Sequence, residues 1–249
     1  MCDDVGLYWL QTLGCPKNQV DSDKLEGYLD ARGYRRASDP GEAELVVVNT
    51  CAFIEAARQE SIEAILHLAD RRAAGSRLVV TGCMAERYGN ELREALPEVD
   101  LVAGFGRDLT ATISPGTAAA PVSVSIGPSR PDAGPPADTA VHDFDLLRLP
   151  RPTARAPWAY VKVAEGCDRI CGFCAIPSFR GKQRSRSPEE ILTEVDALST
   201  PTDGAPPLRE IVLVAQDLAS YGRDRTGVAR GTRIANGHSP IAALTRAVS

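Results

Sequence analysis

The sequence predicts an α/β protein whose N-terminal part folds as an open parallel sheet covered by helices. Two observations predict this fold. In residues 1 to about 110, short apolar runs rich in β-branched residues alternate with amphipathic stretches. After a segment rich in Ala, Pro, Ser and Gly, two further pairs of a strand and a helix follow from residue 153 onward. Alternating strands and helices imply parallel strands joined by right-handed crossovers.

The N-terminal elements follow from hydrophobic periodicity and from helix-end signals. Leu45–Cys51 is a near-continuous β-branched run, which is typical of a strand buried on both faces. Ile54–Ala69 has an apolar stripe at helical spacing. In the first helix we expect Asp21 or Ser22 to form the N-cap and Gly33 to end the helix. The predicted elements are strands Val5–Leu13, Leu45–Cys51, Arg77–Cys83 and Asp100–Phe105, and helices Val20–Arg32, Ile54–Ala69 and Ala85–Leu96.

A candidate linker separates this part from the second half. Residues 111–152 cannot bury enough apolar surface to offset the entropy lost on ordering, so a linker is predicted there. We therefore expect one domain at 5–110 and another at 153–249. The remaining predicted elements are a short linker strand at Val122–Ile126, strands Tyr160–Ala164 and Glu210–Ala215, helix Pro188–Leu198 with Ser187 as its N-cap, a flexible loop at Thr226–Ser239, and a helix from Pro240.

Composition limits the classes of function. The 249 residues are 43% hydrophobic and 24% charged, which is ordinary for one large or two smaller globular domains. The net charge of −5 makes the chain a poor generic binder of nucleic acid, so direct nucleic-acid binding is not expected. No apolar run is long enough to cross a bilayer, and the acidic N-terminus does not resemble a secretory signal. We expect a cytoplasmic protein with no membrane partner.

Six of the seven cysteines fall into two groups of three. In the first, here called the N-terminal cysteine group, Cys15, Cys51 and Cys83 each come directly after a predicted strand. Because the carboxyl ends of parallel strands meet at one edge, about 4.8 Å apart, thiolates on neighbouring loops can share one cluster. The alternative is three buried cysteines that act as small hydrophobic residues. Cys2 lies at the terminus and has no obvious partner.

The second group, here called the loop cysteine group, has the spacing Cys-x3-Cys-x2-Cys at Cys167, Cys171 and Cys174. Spaced cysteines in a reducing compartment favour metal binding or catalysis over disulfides. Three thiolates in one loop can hold a cubane iron–sulfur cluster and leave one iron without a protein ligand. That iron can chelate the amino and carboxylate groups of S-adenosylmethionine. The spacing therefore predicts a [4Fe-4S] cluster that binds and cleaves this cofactor.

Other metal sites fit the loop cysteine group less well. A structural zinc site needs four ligands, and the spare ligands would be His142 or His238, in surroundings typical of linkers. An electron-transfer ferredoxin would bring a fourth cysteine at short spacing, which the sequence lacks. A disulfide framework is not expected in a long cytosolic chain.

The motif around this group resembles a known family. Cys-x3-Cys-x-aromatic-Cys, with Phe173 before the third cysteine, resembles the radical S-adenosylmethionine superfamily, and three further cysteines in an N-terminal α/β domain resemble its methylthiotransferases. Two stretches, Ala159–Ser187 and Glu210–Asp224, resemble the branch that modifies ribosomal protein S12, the RimO proteins. Relatives that modify tRNA usually have VPYTRG-like and GQN-like stretches at these places. The resemblance covers about residues 5–110 and 153–224.

The resemblance implies a methylthiotransferase domain followed by an incomplete radical S-adenosylmethionine (β/α) partial barrel. It implies two [4Fe-4S] clusters, a radical cluster on the loop cysteine group and an auxiliary cluster on the N-terminal cysteine group. The first would generate a 5′-deoxyadenosyl radical that takes hydrogen from the β-carbon of an aspartate in ribosomal protein S12, and the second would present a methylated sulfur. The resemblance also implies that Phe173 contacts the adenine and that a flavodoxin or ferredoxin supplies electrons.

A few polar residues near the predicted sites are weaker candidates. Gln216 and Asp217 follow the last predicted strand, where we expect Gln216 to contact S-adenosylmethionine and Asp217 to help select the substrate. The alternative is that they are ordinary polar residues that cap a loop. One of Arg180, Arg184 and Arg186 is a candidate to neutralise the cofactor carboxylate, or all three form a solvated basic face. No residue is assigned to general acid or base catalysis.

The sequence departs from the family in length. It ends at Ser249, where the family's barrel would need several more strands and a small C-terminal β domain. We expect a C-terminally truncated member that is inactive or weak alone. Two alternatives stay open: a tRNA-adenosine methylthiotransferase, and a non-catalytic iron–sulfur or zinc protein fragment. The Gln216–Asp217 pair and the acidic charge favour a protein substrate over RNA.

Overall fold

A computed structural model describes residues 6–105, 107, 109, 145–200, 206–226 and 239–249. The N-terminal part holds five parallel strands, and the second half holds one parallel and one antiparallel pair. The elements in chain order are β1 Leu7–Thr12, α1 Pro16–Asp30, β2 Arg35–Arg36, β3 Leu45–Thr50, α2 Glu55–Arg71, β4 Arg77–Gly82, α3 Cys83–Ala95, β5 Leu101–Val102, β6 Trp158–Lys162, β7 Ala164–Glu165, α4 Ile176–Arg180, β8 Arg184–Ser185, α5 Pro188–Ser199, β9 Glu210–Val214, α6 Arg223–Thr226 and α7 Pro240–Val248, with 3-10 turns at Pro40–Glu42 and Leu218–Ser220.

The five-stranded sheet has the order β2-β1-β3-β4-β5, and every neighbouring pair is parallel. All six residues of the central strand β3 are buried, as the β-branched run predicted. Val46 and Val48 pack into one hydrophobic cluster, whereas Leu45 and Val47 pack into another on the opposite face. This alternation is the normal consequence of strand geometry. The predicted α/β class with an open parallel sheet is confirmed.

The first helix begins earlier than its periodicity indicated. α1 starts at Pro16, with Cys15 in the N-cap position, so the expectation that Asp21 or Ser22 caps the helix is wrong. A proline is well placed there because the first helical residue needs no amide donor. Asp21 and Ser22 are instead buried in the middle of the helix. Gly33 adopts a φ of +84° just after the helix, in line with its predicted place at the helix end.

Other boundaries differ by a few residues, and several short elements were not predicted. The expected strand Asp100–Phe105 is only two residues long, at Leu101–Val102. The short elements β2, α4, β7 and β8 give too little periodicity for a pattern to reveal them. The strand predicted at Val122–Ile126, most of the linker and most of the loop predicted at Thr226–Ser239 lie outside the described residues. Within the described part of the chain, no helix has the length and apolar character needed to cross a membrane.

The second half is built on the parallel pair of β6 and β9. α5 and α7 contribute Ile191 and Leu244 to a hydrophobic cluster with the strand residues Val161 and Ile211. α5 begins with the predicted N-cap Ser187, which forms a reciprocal capping box with the glutamate three residues later.

A charged contact joins α1 to the second half. Lys24 Nζ donates to the carbonyl oxygens of Leu147 and Leu149, at 2.8 and 3.2 Å, and pairs with Glu194 at 3.2 Å. Burial lowers the pKa of Lys24 to about 8, although Glu194 opposes the shift. Burial alone would raise the pKa of Glu194, but Lys24, Arg186 and Arg151 together hold it below its ordinary value. The helix after Cys15 is thus attached directly to the second half.

Candidate functional site

The N-terminal cysteine group lies at the carboxyl edge of the five-stranded sheet. Cys15, Cys51 and Cys83 directly follow or lie close after β1, β3 and β4, which are neighbours in the sheet. Cys51 and Cys83 are buried and Cys15 is half-buried, and all three are free thiols. The parallel topology therefore places three residues that are far apart in sequence at the same edge of the sheet, as predicted.

The loop before Cys15 packs closely against Cys51. Gly14 has a φ of +91°, and a Cβ built at this position would lie 2.7 Å from the Cβ and 2.9 Å from the Sγ of Cys51. Only glycine fits this approach, because any side chain would displace the thiol. The Cys51 amide donates to Ser61 Oγ at 3.1 Å, which holds this residue from the α2 side.

The thiol of Cys83 has polar partners from both halves of the chain. Arg180 Nη2 lies 3.0 Å from Cys83 Sγ, and Asn18 Oδ1 lies 3.6 Å from the same sulfur. Burial raises the pKa of the Cys83 thiol, while the nearby Arg180 charge opposes that rise. A guanidinium from the segment after the loop cysteine group thus contacts a sulfur of the N-terminal cysteine group.

The loop cysteine group lies between β7 and α4 and opens to solvent. Cys171 is exposed, and Cys167 and Cys174 are half-buried. All three line one cavity of about 570 Å³, together with Asp168, Arg169, Ile170, Pro177, Ser178 and Lys182. The cavity is large enough for a cluster and for part of a small cofactor.

Backbone contacts fix the two ends of this loop. Gly166 has a φ of +78°, and a Cβ there would collide with the carbonyl oxygens of Gly181 and Lys182. The Cys167 amide donates to the Gly181 carbonyl at 3.0 Å, and the Cys174 amide donates to the Cys171 carbonyl at 3.1 Å. Glycine before the first cysteine is therefore a steric requirement of the loop.

The two groups supply thiol donors, the ligand type of iron–sulfur clusters. Among the described residues, no three Cys, His, Asp or Glu side chains converge on a point where one metal ion could bind. A cubane cluster does not need its three thiolates to converge on one point, because each thiolate binds a different iron atom. Each group supplies three free thiols, which is the number of cysteine ligands that a cluster with one open iron needs. His142 and His238, the spare ligands of the zinc alternative, lie outside the described residues.

The two predicted cofactor contacts differ in their surroundings. Phe173 is 90% exposed, so its ring is available to a ligand at the mouth of the loop. Gln216 is half-buried, and its Nε2 donates to Glu165 Oε1 at 2.6 Å. Its Oε1 is buried and has no hydrogen-bond partner within the described ranges, so it can accept from a bound group. Asp217 accepts from Arg169 Nε at 2.6 Å, which ties the end of β9 to the cysteine loop.

A buried ion network lies between the two cysteine groups, and sequence reasoning missed it. Lys162 Nζ donates to Asp21 and, at 2.8 Å, to Glu165 Oε2. Arg180 Nη1 donates to Asp21 Oδ2 at 3.0 Å and to both Glu165 oxygens at 3.1 Å. Burial would raise the pKa of Glu165, but Arg180 and Lys162 hold it well below its ordinary value. Two cations and two carboxylates thus form one buried ion network.

The arginines after the loop do not share one solvated face. The side chain of Arg180 is only 3% exposed. Arg186 is also buried, where it pairs with Glu194 at 2.6 Å and donates to the Lys162 carbonyl at 3.0 Å. Only Arg184 is on the surface, paired with Asp145 at 3.2 Å. The solvated-face alternative is therefore wrong for Arg180 and Arg186, because both side chains are buried in ion pairs with carboxylates.

Comparison with known proteins gives matches over most of the chain. Residues 7–104 match the family described as "Uncharacterized protein family UPF0004". The "Ribosomal protein uS12 methylthiotransferase RimO" of Anaeromyxobacter sp. (strain K) is 43% identical over 229 residues, which cover 89% of this chain and 44% of that protein. The proteins of the same name from Myxococcus xanthus (strain DK1622) and Desulfitobacterium hafniense (strain Y51) are 42% and 40% identical, over 88% and 87% of this chain and 43% and 46% of theirs.

The chain spans less than half the length of these curated relatives. The family resemblance predicted from the sequence motifs is confirmed: this chain is related, over most of its length, to the RimO-like methylthiotransferase family.

Proposed function

We propose that this chain provides the two cluster-binding parts of a radical S-adenosylmethionine methylthiotransferase that acts on an aspartate β-carbon of ribosomal protein S12. The observation that supports this most strongly is the pair of cysteine groups joined by one buried ion network, through Glu165 and Arg180. An enzyme that makes a radical at one site and uses a sulfur at another needs such a fixed arrangement. The names of the relatives support the choice of substrate.

The loop cysteine group would hold the cluster that faces S-adenosylmethionine. When bound, a [4Fe-4S] cluster with an open iron supplies the electron that cleaves the cofactor. Phe173 would cover the adenine, and the unpaired Gln216 Oε1 would accept a hydrogen bond from the cofactor. Arg169, paired with Asp217, would border the cavity and limit the entry of water. The two-stranded pair β6–β9 would be the start of the family's (β/α) barrel.

The N-terminal cysteine group would hold the auxiliary cluster that presents the sulfur. Burial of Cys51 and Cys83 suits this role, because a sulfur awaiting transfer must be kept from water and from oxidants. In this proposal residues 5–110 form the methylthiotransferase domain, 111–152 the linker and 153–249 the part of the radical domain that the chain contains. A flavodoxin or ferredoxin would deliver the electrons in the cytoplasm.

Purified chain, loaded with iron and sulfide without oxygen, tests the radical half of the proposal. With dithionite and S-adenosylmethionine it should release 5′-deoxyadenosine, and the Cys171→Ala chain should release none. The matched control is Cys51→Ala, which should still release 5′-deoxyadenosine. A chain that binds zinc without sulfide, or that never cleaves the cofactor, would favour the non-catalytic alternative.

The substrate is tested in cells. Mass spectrometry of ribosomal protein S12 and of bulk tRNA from a strain lacking the gene separates the two candidate substrates. The proposal predicts loss of the methylthio group from S12 and unchanged tRNA. Loss from tRNA with intact S12 would instead identify a tRNA-adenosine methylthiotransferase.

A further inference from the structure

Arg180 is the one described side chain that connects both cysteine groups through its own contacts. It lies six positions after Cys174, at the last residue of α4, and its Nη2 reaches Cys83 Sγ at 3.0 Å. Its Nη1 contacts Glu165, which lies two positions before Cys167. One guanidinium therefore contacts Glu165, just before the loop cysteine group, and the Cys83 sulfur of the N-terminal cysteine group.

The guanidinium is held in a fixed orientation. Nη2 also donates to Asn18 Oδ1 at 2.8 Å, and the ring of Phe105 lies 4.0 Å from the guanidinium carbon. Carboxylates on the other side, Asp21 and Glu165, hold Nη1. The planar guanidinium is already held by several partners, so it loses little conformational entropy when it donates to the sulfur. A lysine ammonium lacks this planar set of donors and could not make the same contacts. This geometry is that of a positioning group.

The charge of Arg180 acts where solvent cannot screen it. Its side chain is 3% exposed, and Cys83 is buried. Hydrogen bonds and positive charge near a cluster sulfur stabilise the extra negative charge of the reduced cluster. We propose that Arg180 is a positioning residue of the N-terminal cysteine group, where its N–H···S bond to Cys83 raises the reduction potential of the cluster bound there. This inference rests on the proposed function, since it assumes that this group holds a cluster.

The test isolates the auxiliary site in the full chain. In a parent chain with Cys167→Ala, Cys171→Ala and Cys174→Ala, only the N-terminal cysteine group remains for a cluster. Redox titration followed by electron paramagnetic resonance gives its midpoint potential. Adding Arg180→Gln should shift the potential to more negative values, with the iron content per chain unchanged. Arg184→Gln is the matched control, because this exposed arginine pairs with Asp145 and contacts no cysteine among the described residues.

A second measurement needs no substitution at Arg180, whose loss would leave two carboxylates with one buried cation. The same parent chain is grown with arginine labelled with ¹⁵N only in the guanidinium. Pulsed electron paramagnetic resonance of the reduced cluster should then show a ¹⁵N coupling. Arg87→Lys is added to this parent chain, because the Arg87 guanidinium donates to the carbonyl of Ala52 beside Cys51 and would also be labelled. The remaining coupling then tests the contact between Arg180 and the cluster even if Arg180→Gln fails to fold.

The outcomes separate this inference from the function on which it rests. A more negative potential in Arg180→Gln and not in Arg184→Gln supports the role of Arg180, and a ¹⁵N coupling supports its contact with the cluster. A more positive potential in Arg180→Gln overturns the inference. A bound cluster with an unchanged potential in a folded Arg180→Gln chain, or with no ¹⁵N coupling, overturns this inference and leaves the proposed function standing. A parent chain that binds no iron and sulfide contradicts both.

Discussion

Asp21 Oδ2 and Arg180 Nη1 lie 3.0 Å apart although 159 positions separate the two residues in the sequence. Asp21 belongs to the helix that follows Cys15, and Arg180 ends the helix that follows Cys174. This ion pair therefore fixes the two cysteine groups relative to each other. Its partners Lys162 and Glu165 complete a buried network.

Asp21→Ala should strongly destabilise the chain. Asp21 is 1% exposed and neutralises both Lys162 and Arg180. Its removal leaves buried cations with one carboxylate between them, and breaking a buried pair in this way costs about 3–5 kcal/mol. The free energy of unfolding of the metal-free chain, measured in urea, gives the loss directly.

Asp70→Ala is the matched control for that substitution. Asp70 is an exposed aspartate near the end of α2, where a change should alter the free energy of unfolding by less than about 0.5 kcal/mol. Equal, small effects of the two substitutions would show that the network does not hold the halves together.

Stability should fall in acid through Glu194. Burial opposes its ionisation, but Lys24, Arg186 and Arg151 outweigh burial and keep the folded-state pKa below the ordinary 4.5. As the pH falls below that value, the unfolded chain takes up a proton first, so the folded state loses stability. The contribution of Glu194 is fully present above about pH 4.5 and disappears as the pH falls through its folded-state pKa.

Urea unfolding from about pH 6 to about pH 3 checks this dependence. Glu194→Gln should be less stable near neutral pH and should lose less stability on acidification than the unchanged chain. Glu63→Gln, a change at an exposed residue of α2, should leave the pH profile as it was. A Glu194→Gln profile parallel to that of the unchanged chain would argue against stabilising ion pairs of Glu194 with Lys24, Arg186 and Arg151.

Gly166→Ala should disrupt the loop cysteine group specifically. The added Cβ would collide with two carbonyl oxygens at a φ of +78°, so the loop would have to open. We expect about half of the bound iron to be lost, since only one of two clusters is affected. Gly172→Ala lies in the same loop with no atom within 4 Å of its Cβ, and it should keep its iron. Equal iron in both variants would contradict this account of the loop.

The strand-end positions of Cys15, Cys51 and Cys83 could be predicted because local patterns contain the necessary information. β-branched runs identify strands, and alternation with helices makes the strands parallel, so residues after each strand must share an edge. The predicted start of α1 at Val20 is wrong, because the apolar stripe begins only after a polar first turn. The helix begins at Pro16.

The buried network could not be predicted in the same way. Asp21, Lys162 and Arg180 look like ordinary surface residues in their local sequence, and nothing in the spacing indicates which ones the two halves bury between them. The pair of Asp21 and Lys162 depends on how α1 packs against β6, and Arg180 joins it from α4.

Iron and acid-labile sulfide per chain, counted after oxygen-free loading, test the central claim most directly. Two clusters predict about eight of each, falling to about four when either cysteine group is replaced by alanine. Equal numbers in the unchanged chain and in both variants, or a metal bound without sulfide, would contradict the assignment of a cluster to each group.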